Sequence, residues 1–462
     1  MQVLIPWKLR DTAEAKGYRG SSGIPRKLRD TAEAQGFLWL YCRVPLAPSA
    51  VLNADLAVER YGEQGRRWVN GISMADPLAD NVVADFVGLP HGQGMEMFRG
   101  AIENGIDSIA DAPESLLALF ADVENEPTWL ERDRLDRAAG HLARHVASYG
   151  IVLAAASLTA GAMNSTAGKP LVMTGRYTTQ AAVRSIEVGA WLESIFKPDG
   201  LRRDGIGFAT TLRVRMIHAF VRQHLLASGK WDSDAWGTPI PQSFMAFTIV
   251  EFGHIALTAM HKLGVRYTSD ELDDIYHFWR YVSLLNGVGP ELIPAKEADH
   301  IRIEELYALT ATDPDDGDRE FVRSLAHDYL AVELAELIPL VGMHMHGFAV
   351  AVVDGLTRAF LGDTAATKLG VPDTALKYLP TVLSPVVGGV NRVLATIPGV
   401  NAVRTKHAFV RHSRMMTGQR ERYNVRHQLV DDAPDRLGHP GGAVRSPRGA
   451  KPGIPDDDQR NL

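Results

Sequence analysis

The segment from Leu212 to Arg222 holds residues whose types and spacing could bind a cofactor. On a helix, Arg215, His218 and Arg222 fall at i, i+3 and i+7, along one face. The apolar residues between them predict a mostly buried helix, in which each guanidinium needs an anionic partner. Haem would meet these demands, because its iron takes an imidazole and its propionates take arginines. A core histidine flanked by arginines that reach protein carboxylates explains the same pattern.

A helix directly upstream carries charged groups that could face the same site. Arg184 and Glu187 lie one turn apart in a predicted helix over 178–196, and a turn at 197–201 precedes the His218 helix. Two consecutive helices joined by a short turn pack side by side and antiparallel. We therefore predict that Arg184 supplies charge and Glu187 moves protons beside His218. A solvated Arg184–Glu187 ion pair is the alternative.

Two Glu-x-x-His motifs suggest a different iron chemistry. Glu251 precedes His254 by three residues, and Glu297 stands in the same relation to His300. Two such motifs, together with glutamates from other helices, form a di-iron carboxylate site in a four-helix bundle. The sequence therefore leaves a non-haem iron enzyme open beside the haem hypothesis.

Composition argues against several classes of function. The chain has 462 residues, 45% of them hydrophobic, so it can bury a large core. A net charge of −6 with dispersed Lys and Arg residues argues against nucleic-acid binding. The single cysteine, Cys42, cannot form an internal disulfide or a cysteine-rich metal site. The sequence has no Gly-x-Ser-x-Gly motif of hydrolases, no phosphate-binding loop of kinases and no dinucleotide-binding motif of Rossmann-fold enzymes. It therefore gives no support to these three classes.

The organisation of the chain predicts one large helical domain between two different ends. A segment starting at Ile5 recurs with one substitution from Ile24, so residues 1–50 are predicted to form an arm with a tandem duplication. Over 51–426, helical periodicity alternates with Pro, Gly and Asp turns, which predicts an all-α fold. Residues 427–462 lack apolar periodicity and are predicted to be a disordered tail. The predicted helices include 134–156, 178–196, 208–228, 241–263, 269–285, 318–337 and 347–361.

The N-terminal region is interrupted by Pro6, Lys8 and Arg10, so we expect no secretion signal and a cytoplasmic protein. The apolar stretches at 151–163 and 329–353 are too short or carry charges, which predicts buried helices and no transmembrane segment. Peripheral membrane contact stays open, because apolar substrates often reside in membranes. The sequence specifies no oligomeric state.

The order of these motifs resembles that of the MpaB/rubber-oxygenase family, which includes the latex-clearing proteins. The resemblance extends over about 149–363. The residues that carry it are Thr174-Gly175-Arg176, Arg184 with Glu187, Leu212-Arg213-Val214-Arg215, His218-Ala219, Val221-Arg222, Trp231-Asp232, Trp236-Gly237-Thr238-Pro239-Ile240-Pro241-Gln242 and Leu263-Gly264-Val265.

The resemblance implies an all-α fold with a globin-like core that binds haem b. It makes His218 the proximal iron ligand, with Arg215 and Arg222 as neighbouring cofactor-binding residues. Arg184 corresponds to the arginine of the distal helix, and Arg358 to a further cofactor-binding arginine.

The resemblance also implies an oxygenase that uses O2 to oxidise or cleave an apolar, isoprenoid or alkene-containing substrate. Latex-clearing members carry an upstream glutamate as base, but residues 151–173 contain no acid, which leaves Glu187 as the nearby one. Without a secretion signal, extracellular rubber is not the expected substrate. A di-iron oxidase and a haem-binding sensor or carrier without turnover are the alternatives.

Overall fold

Every regular element in the described part of the chain is a helix, which confirms the predicted all-α fold. The computed structural model describes residues 47–174, 181–336, 346–423 and 425. The predicted disordered tail at 427–462 and nearly all of the predicted N-terminal arm lie outside these residues.

The helices are numbered here in chain order. Three of them, α7, α12 and α15, pass through a π turn, at Leu153–Ser157, Glu251–Ile255 and Ser324–Leu330 respectively. The helices are α1 (Ala54–Tyr61), α2 (Glu63–Gly71), α3 (Pro77–Val87), α4 (Gln93–Asn104), α5 (Glu114–Glu124), α6 (Arg132–Ala143), α7 (Val146–Gly161), α8 (Ser165–Met173), α9 (Ala181–Ile195), α10 (Ile206–Ala227), α11 (Ser233–Trp236), α12 (Gln242–Lys262), α13 (Ser269–Leu285), α14 (Glu297–Thr310), α15 (316–336), α16 (His346–Leu361), α17 (Asp363–Lys368), α18 (Leu379–Thr396) and α19 (Val400–Arg422).

The predicted helices agree with the observed ones to within a few residues, with one exception. The prediction over 134–156 is wrong as a single helix, because the chain bends by 78° between α6 and α7. His145, at φ −120° and ψ 20°, is the non-helical residue at this bend. The apolar periodicity continues across the bend, so the sequence pattern does not reveal it.

Side-chain caps define where several helices begin. Asp76 caps α3 by accepting a hydrogen bond from the Ala79 N–H at 3.4 Å, and Pro77 occupies the first helical position. Thr268 and Glu271 form a reciprocal capping box at the start of α13. The Asp76 cap fixes the position of a carboxylate that reaches α10.

Aromatic side chains join α9, α12 and α13 in the apolar core. Trp191 lies edge-on to Phe252 with ring centroids 5.2 Å apart, and Phe252 stacks on Trp279 at 5.5 Å. Such pairs contribute about 0.5–1.5 kcal/mol beyond the area they bury. The π turn of α7 contacts those of α12 and α15, so the three irregular turns meet in the interior.

By length and composition, α12 is apolar enough to cross a membrane. In its most apolar window, 83% of the residues are buried inside the protein, so α12 is a core helix in this fold. Two pairs of consecutive helices, each bent at the joint, are also long and apolar enough to cross a membrane, but only if each pair is counted as one span. They are α6 with α7, and the segment Ala375–Thr396 with α19, which is bent by 116°.

Candidate functional site

Helices α9 and α10 pack antiparallel, as their order in the sequence predicts. The Trp191 indole N–H donates to the Thr211 hydroxyl at 3.0 Å, and the Ser194 and Thr210 hydroxyls are 2.6 Å apart. Gly207 allows this close approach, because a Cβ there would lie 2.7 Å from a backbone atom of α9. The pairing brings the start of α9 to the middle of α10, where His218 lies.

His218 is a half-buried histidine with an unsatisfied nitrogen. Its Nδ1 atom is buried and has no hydrogen-bond partner. Burial, together with the charges of Arg222 and Arg184, lowers the pKa of His218 to about 4. The imidazole is therefore neutral at physiological pH, which is the form that binds a metal. A histidine with only a packing role normally satisfies its buried nitrogens, so His218 is a suitable iron ligand.

Arg215 has a partner within the protein. Its Nε and Nη2 atoms donate to the two carboxylate oxygens of Asp76 at 2.6 and 2.9 Å, and both side chains are only 3% exposed. Asp122 lies 3.5 Å from the Nη1 atom. The buried charge is thus neutralised by protein carboxylates, but the Nη1 atom itself is buried without a hydrogen-bond partner. The predicted contact of Arg215 with a haem propionate therefore stays a prediction.

Arg222 is paired in the same way one helical turn further along α3. Its Nε donates to the Asp80 carboxylate at 2.8 and 3.0 Å, and its Nη1 donates to the Ile240 carbonyl at 2.8 Å. Asp76 and Asp80 are four residues apart, so α3 offers two acids on one face to the two arginines of α10. The alternative interpretation from the sequence, arginines that reach protein carboxylates, is the one that the structure supports.

Arg358 also forms its hydrogen bonds within the protein. At the end of α16 it donates to the Pro372 and Val371 carbonyls at 2.8 and 2.6 Å and to Asp363 at 2.9 Å. These bonds tie α16 to the turn that follows α17. Its predicted contact with the cofactor therefore has no support in this geometry.

Arg184 is the predicted charged group that the structure brings to His218. Its positive charge lowers the pKa of His218 and also acts on the Glu251 carboxyl, so Arg184 lies within electrostatic reach of both. Glu187 is half-buried one turn along α9. Among the described contacts, no hydrogen bond or ion pair joins Glu187 to His218, so its predicted role in proton transfer stays a prediction.

Glu251, a member of the first Glu-x-x-His motif, is a buried acid within electrostatic reach of Arg184. It opens the π turn of α12 and is 7% exposed. Burial raises the pKa of this carboxyl well above its ordinary range, although the Arg184 charge acts in the opposite direction. Burial thus favours the protonated form of Glu251, which can donate a proton. π turns inside α-helices are common at functional sites.

The Glu251 carboxyl packs against Gly161, at the end of α7. A Cβ at position 161 would lie 2.2 Å from the Oε1 atom of Glu251, so glycine leaves the space that the carboxyl fills. The Tyr307 hydroxyl donates to the Gly161 carbonyl at 2.5 Å. The negative charge of an ionised Glu251 would raise the pKa of Tyr307 further, which places the two groups close together.

The two Glu-x-x-His motifs do not assemble the predicted di-iron site. His254 bonds to the Tyr276 hydroxyl at 3.1 Å and lies 3.9 Å from both Glu297 and Glu304. His300 is fully buried, and neither ring nitrogen has a partner. Within the described ranges, no three His, Cys, Asp or Glu residues are placed to hold a metal ion. Geometry thus argues against the non-haem alternative.

Known proteins resemble this chain in sequence and in fold. A rubber oxygenase of Streptomyces sp. (strain K30) is 26% identical over 205 residues, which cover 43% of this chain and 47% of the relative, so the match spans about half of the relative's length. The solved structure of a latex clearing protein in its closed state superimposes with a TM-score of 0.54 at 17% identity, covering 74% of this chain and 90% of the other. This structural likeness concerns the fold alone.

The profile of one protein family matches residues 143–387, which is more than half of the chain. The match begins at the end of α6 and extends into α18, so it contains α9, α10, α12 and the residues His218, Arg184 and Glu251. This chain therefore belongs to the family described as the ER-bound oxygenase mpaB/B' and rubber oxygenase catalytic domain.

Proposed function

We propose that the chain is a haem b-dependent oxygenase that uses O2 to oxidise or cleave an apolar substrate with an isoprenoid or alkene group. The observation that carries the proposal is that two buried groups lie within electrostatic reach of Arg184. One is a neutral imidazole with an unsatisfied nitrogen, and the other is a carboxyl whose pKa burial raises well above its ordinary value. Family membership supports the oxygenase class, and the rubber oxygenase relative supports a polyisoprene-like substrate.

His218 fits a haem ligand, whereas the three predicted cofactor-binding arginines already have partners within the protein. His218 fits an iron ligand, because its neutral ring offers a nitrogen that the protein leaves without a partner. Arg215, Arg222 and Arg358 already bind carboxylates and carbonyls of the chain. The Nη1 atom of Arg215 and the Nη2 atom of Arg222 nevertheless lack hydrogen-bond partners, so they are the atoms of these arginines that could bind the acid groups of a haem.

A haem bound through His218 would supply the iron that binds and activates O2. The chain's own groups supply charge and protons around it. Arg184, on α9, stabilises negative charge near His218. Glu251 holds a proton on its carboxyl and can deliver it toward the same space from α12. The apolar residues of α7 and α12 exclude water, which keeps both effects strong.

Glu251 is better placed than Glu187 for the predicted proton transfer, because it is the buried acid within reach of Arg184. A general acid is efficient when its pKa lies near the working pH, and burial moves the pKa of Glu251 in that direction. Because its raised pKa favours proton donation, Glu251 does not replace the base that residues 151–173 lack. We therefore assign proton transfer to Glu251 and treat Glu187 as a secondary candidate.

Haem content and O2 consumption test this function together. We expect the purified chain, loaded with haem, to consume O2 only when a short polyisoprene or another apolar alkene is present, with an oxidised product detected by mass spectrometry. Haem that binds without any O2 consumption would overturn the oxygenase assignment and favour a haem-binding sensor or carrier. Iron bound without porphyrin would overturn the haem assignment.

A further inference from the structure

Helix α18 exposes an almost continuous apolar face. Val382, Val386, Val390 and Val393 have 68, 65, 54 and 63% of their surface exposed, and Pro380 is the buried residue of this helix. Their spacing of three or four residues places them on one face. Ten of the large exposed hydrophobic residues in the described part of the chain fall between 378 and 410. A soluble monomer rarely exposes apolar side chains at this density, so the face is an interaction site.

The same segment carries positive charge without negative charge. Between Asp373 and Glu421 the sequence has no Asp or Glu residue. On α19, exposed basic side chains alternate with exposed valines along one face. The Lys and Arg residues of the segment are Lys377, Arg392, Arg404, Lys406, Arg411, Arg414 and Arg420. Apolar side chains bordered by cations are typical of helices that lie in the interface of an anionic membrane.

The two helices form a bent hairpin that is held to the body of the protein. They meet at an angle of 116°, and the Arg404 guanidinium donates to the Asn391 side chain at 2.9 Å across the bend. Helix α19 packs along α9, where a Cβ at Gly189 would lie 2.9 Å from Met416. The hairpin thus has a fixed inner side and an outer side that the described residues leave uncovered.

We propose that α18 and α19 form a docking surface for an anionic lipid bilayer. The valines of α18 enter the boundary between headgroups and acyl chains, and the cations of α19 bind lipid phosphates. Each Lys or Arg close to an anionic surface strengthens binding by about fivefold. The hairpin lies in the interface rather than across the bilayer, because α19 carries too many cations for the hydrocarbon core.

Charge favours a membrane over a second copy of the chain as the occupant. A symmetric contact places the same patch of both subunits together. Here that contact would bring the cations of two α19 helices against each other without acids between them. A bilayer with anionic headgroups complements both properties of the surface.

Membrane binding would also affect how substrate reaches the site, an inference that rests on the proposed function. Helix α19 packs on α9, the helix that carries Arg184. A membrane bound to the hairpin would therefore hold an apolar substrate close to the oxygenase site. Membrane binding itself does not depend on that activity.

Vesicle flotation of the purified full-length protein tests the surface. We expect it to float with vesicles of phosphatidylcholine and phosphatidylserine, to float poorly with phosphatidylcholine alone, and to be released by salt. The double variant V386D/V390D should lose binding by about a hundredfold, because it removes apolar contacts and adds two repelled charges. The triple variant K406Q/R411Q/R414Q should lose about a hundredfold in binding to the anionic vesicles alone.

A matched control comes from valine and leucine side chains that are exposed elsewhere. The variant V87D/L117D changes residues that are 71 and 45% exposed on α3 and α5, and it should float like the wild type. Wild-type protein that binds neither vesicle, or V386D/V390D protein that still floats, would overturn the proposal. A dimer that V386D/V390D dissociates, without vesicle binding, would assign the surface to a second copy. Flotation does not require haem, so a missing haem spectrum would overturn only the proposed function.

Discussion

The two arginines and the histidine of α10 share one helix but have opposite environments. Arg215 pairs with the buried Asp76 and Arg222 with the half-buried Asp80, whereas the buried Nδ1 atom of His218 has no hydrogen-bond partner. In the sequence the three residues look like parts of one site. The difference shows that the arginines hold α10 against α3, while His218 is left free to bind a ligand.

Breaking an arginine pair should have the largest effect on stability. The variant Arg215→Met leaves the Asp76 carboxylate buried without its partner, so we expect the free energy of unfolding to fall by about 3–5 kcal/mol. Urea denaturation measures this change. The control Arg67→Met removes a half-exposed arginine beside Glu63 and should change stability by less than about 1 kcal/mol. A similar small change for both variants would show that the α3–α10 pairs do not stabilise the fold.

Replacing the Glu251 carboxyl with an amide should lower turnover without unfolding the protein. We expect Glu251→Gln to keep its haem and to lose at least about a hundredfold in kcat, the smaller end of what general acid catalysis contributes. Glu304→Gln is the matched control, because burial raises the pKa of Glu304 to about 7 but the residue lies beside His254. Equal losses in the two variants would remove Glu251 from the reaction.

The pH dependence of stability should reflect the buried histidines. In the haem-free protein burial lowers the pKa of three of them to about 4 and that of the fourth, His300, well below its ordinary value. Each therefore stabilises the fold fully above its unfolded pKa near 6.5 and loses this contribution as the pH falls through its lowered pKa. Glu251 and Glu304 act in the opposite sense, because their raised pKa values favour the fold at low pH. The histidines are His145, His218, His254 and His300.

Burial also lowers the pKa of further histidines and raises that of Asp80. The lowered histidine pKa values outnumber the raised acid ones, so stability should fall as the pH drops from roughly 6.5 to 4.5. Urea midpoints across this range measure the slope. A flat profile would mean that these histidines are not held neutral in the fold.

The smallest effect is expected from adding one methyl group beside Glu251. In Gly161→Ala the new Cβ would lie 2.2 Å from the carboxyl, whose flexible end must move, so we expect a loss of about 1 kcal/mol in stability and about tenfold in kcat. Gly150→Ala, in the same helix, is the control because nothing lies within 4 Å of its Cβ. Since alanine favours helix more than glycine, this control should match or exceed wild-type stability.

Sequence periodicity predicts the helices and the contact between neighbouring ones. The order of α9 and α10 and the short link between them were enough to predict that Arg184 approaches His218. Both inferences depend on residues that are close in the chain, where helical spacing fixes the geometry. The all-α fold follows from the same local patterns.

Contacts between distant segments could not be predicted from one sequence. Asp76 precedes Arg215 by 139 residues, and no local pattern indicates that α3 would neutralise the buried arginines. Glu251 was noticed through its spacing from His254, but the π turn and the space at Gly161 direct it toward Arg184. A lone acid in an otherwise apolar helix was the available signal for this role.

Ultraviolet–visible spectra of wild-type and His218→Ala proteins would test whether His218 holds a haem. Both proteins would be reconstituted with haem and recorded before and after dithionite and CO. Wild-type protein should show a Soret band that shifts on reduction and on CO binding, and the variant should stay folded and lack that band. A His218→Ala protein with a wild-type Soret band would contradict the claim.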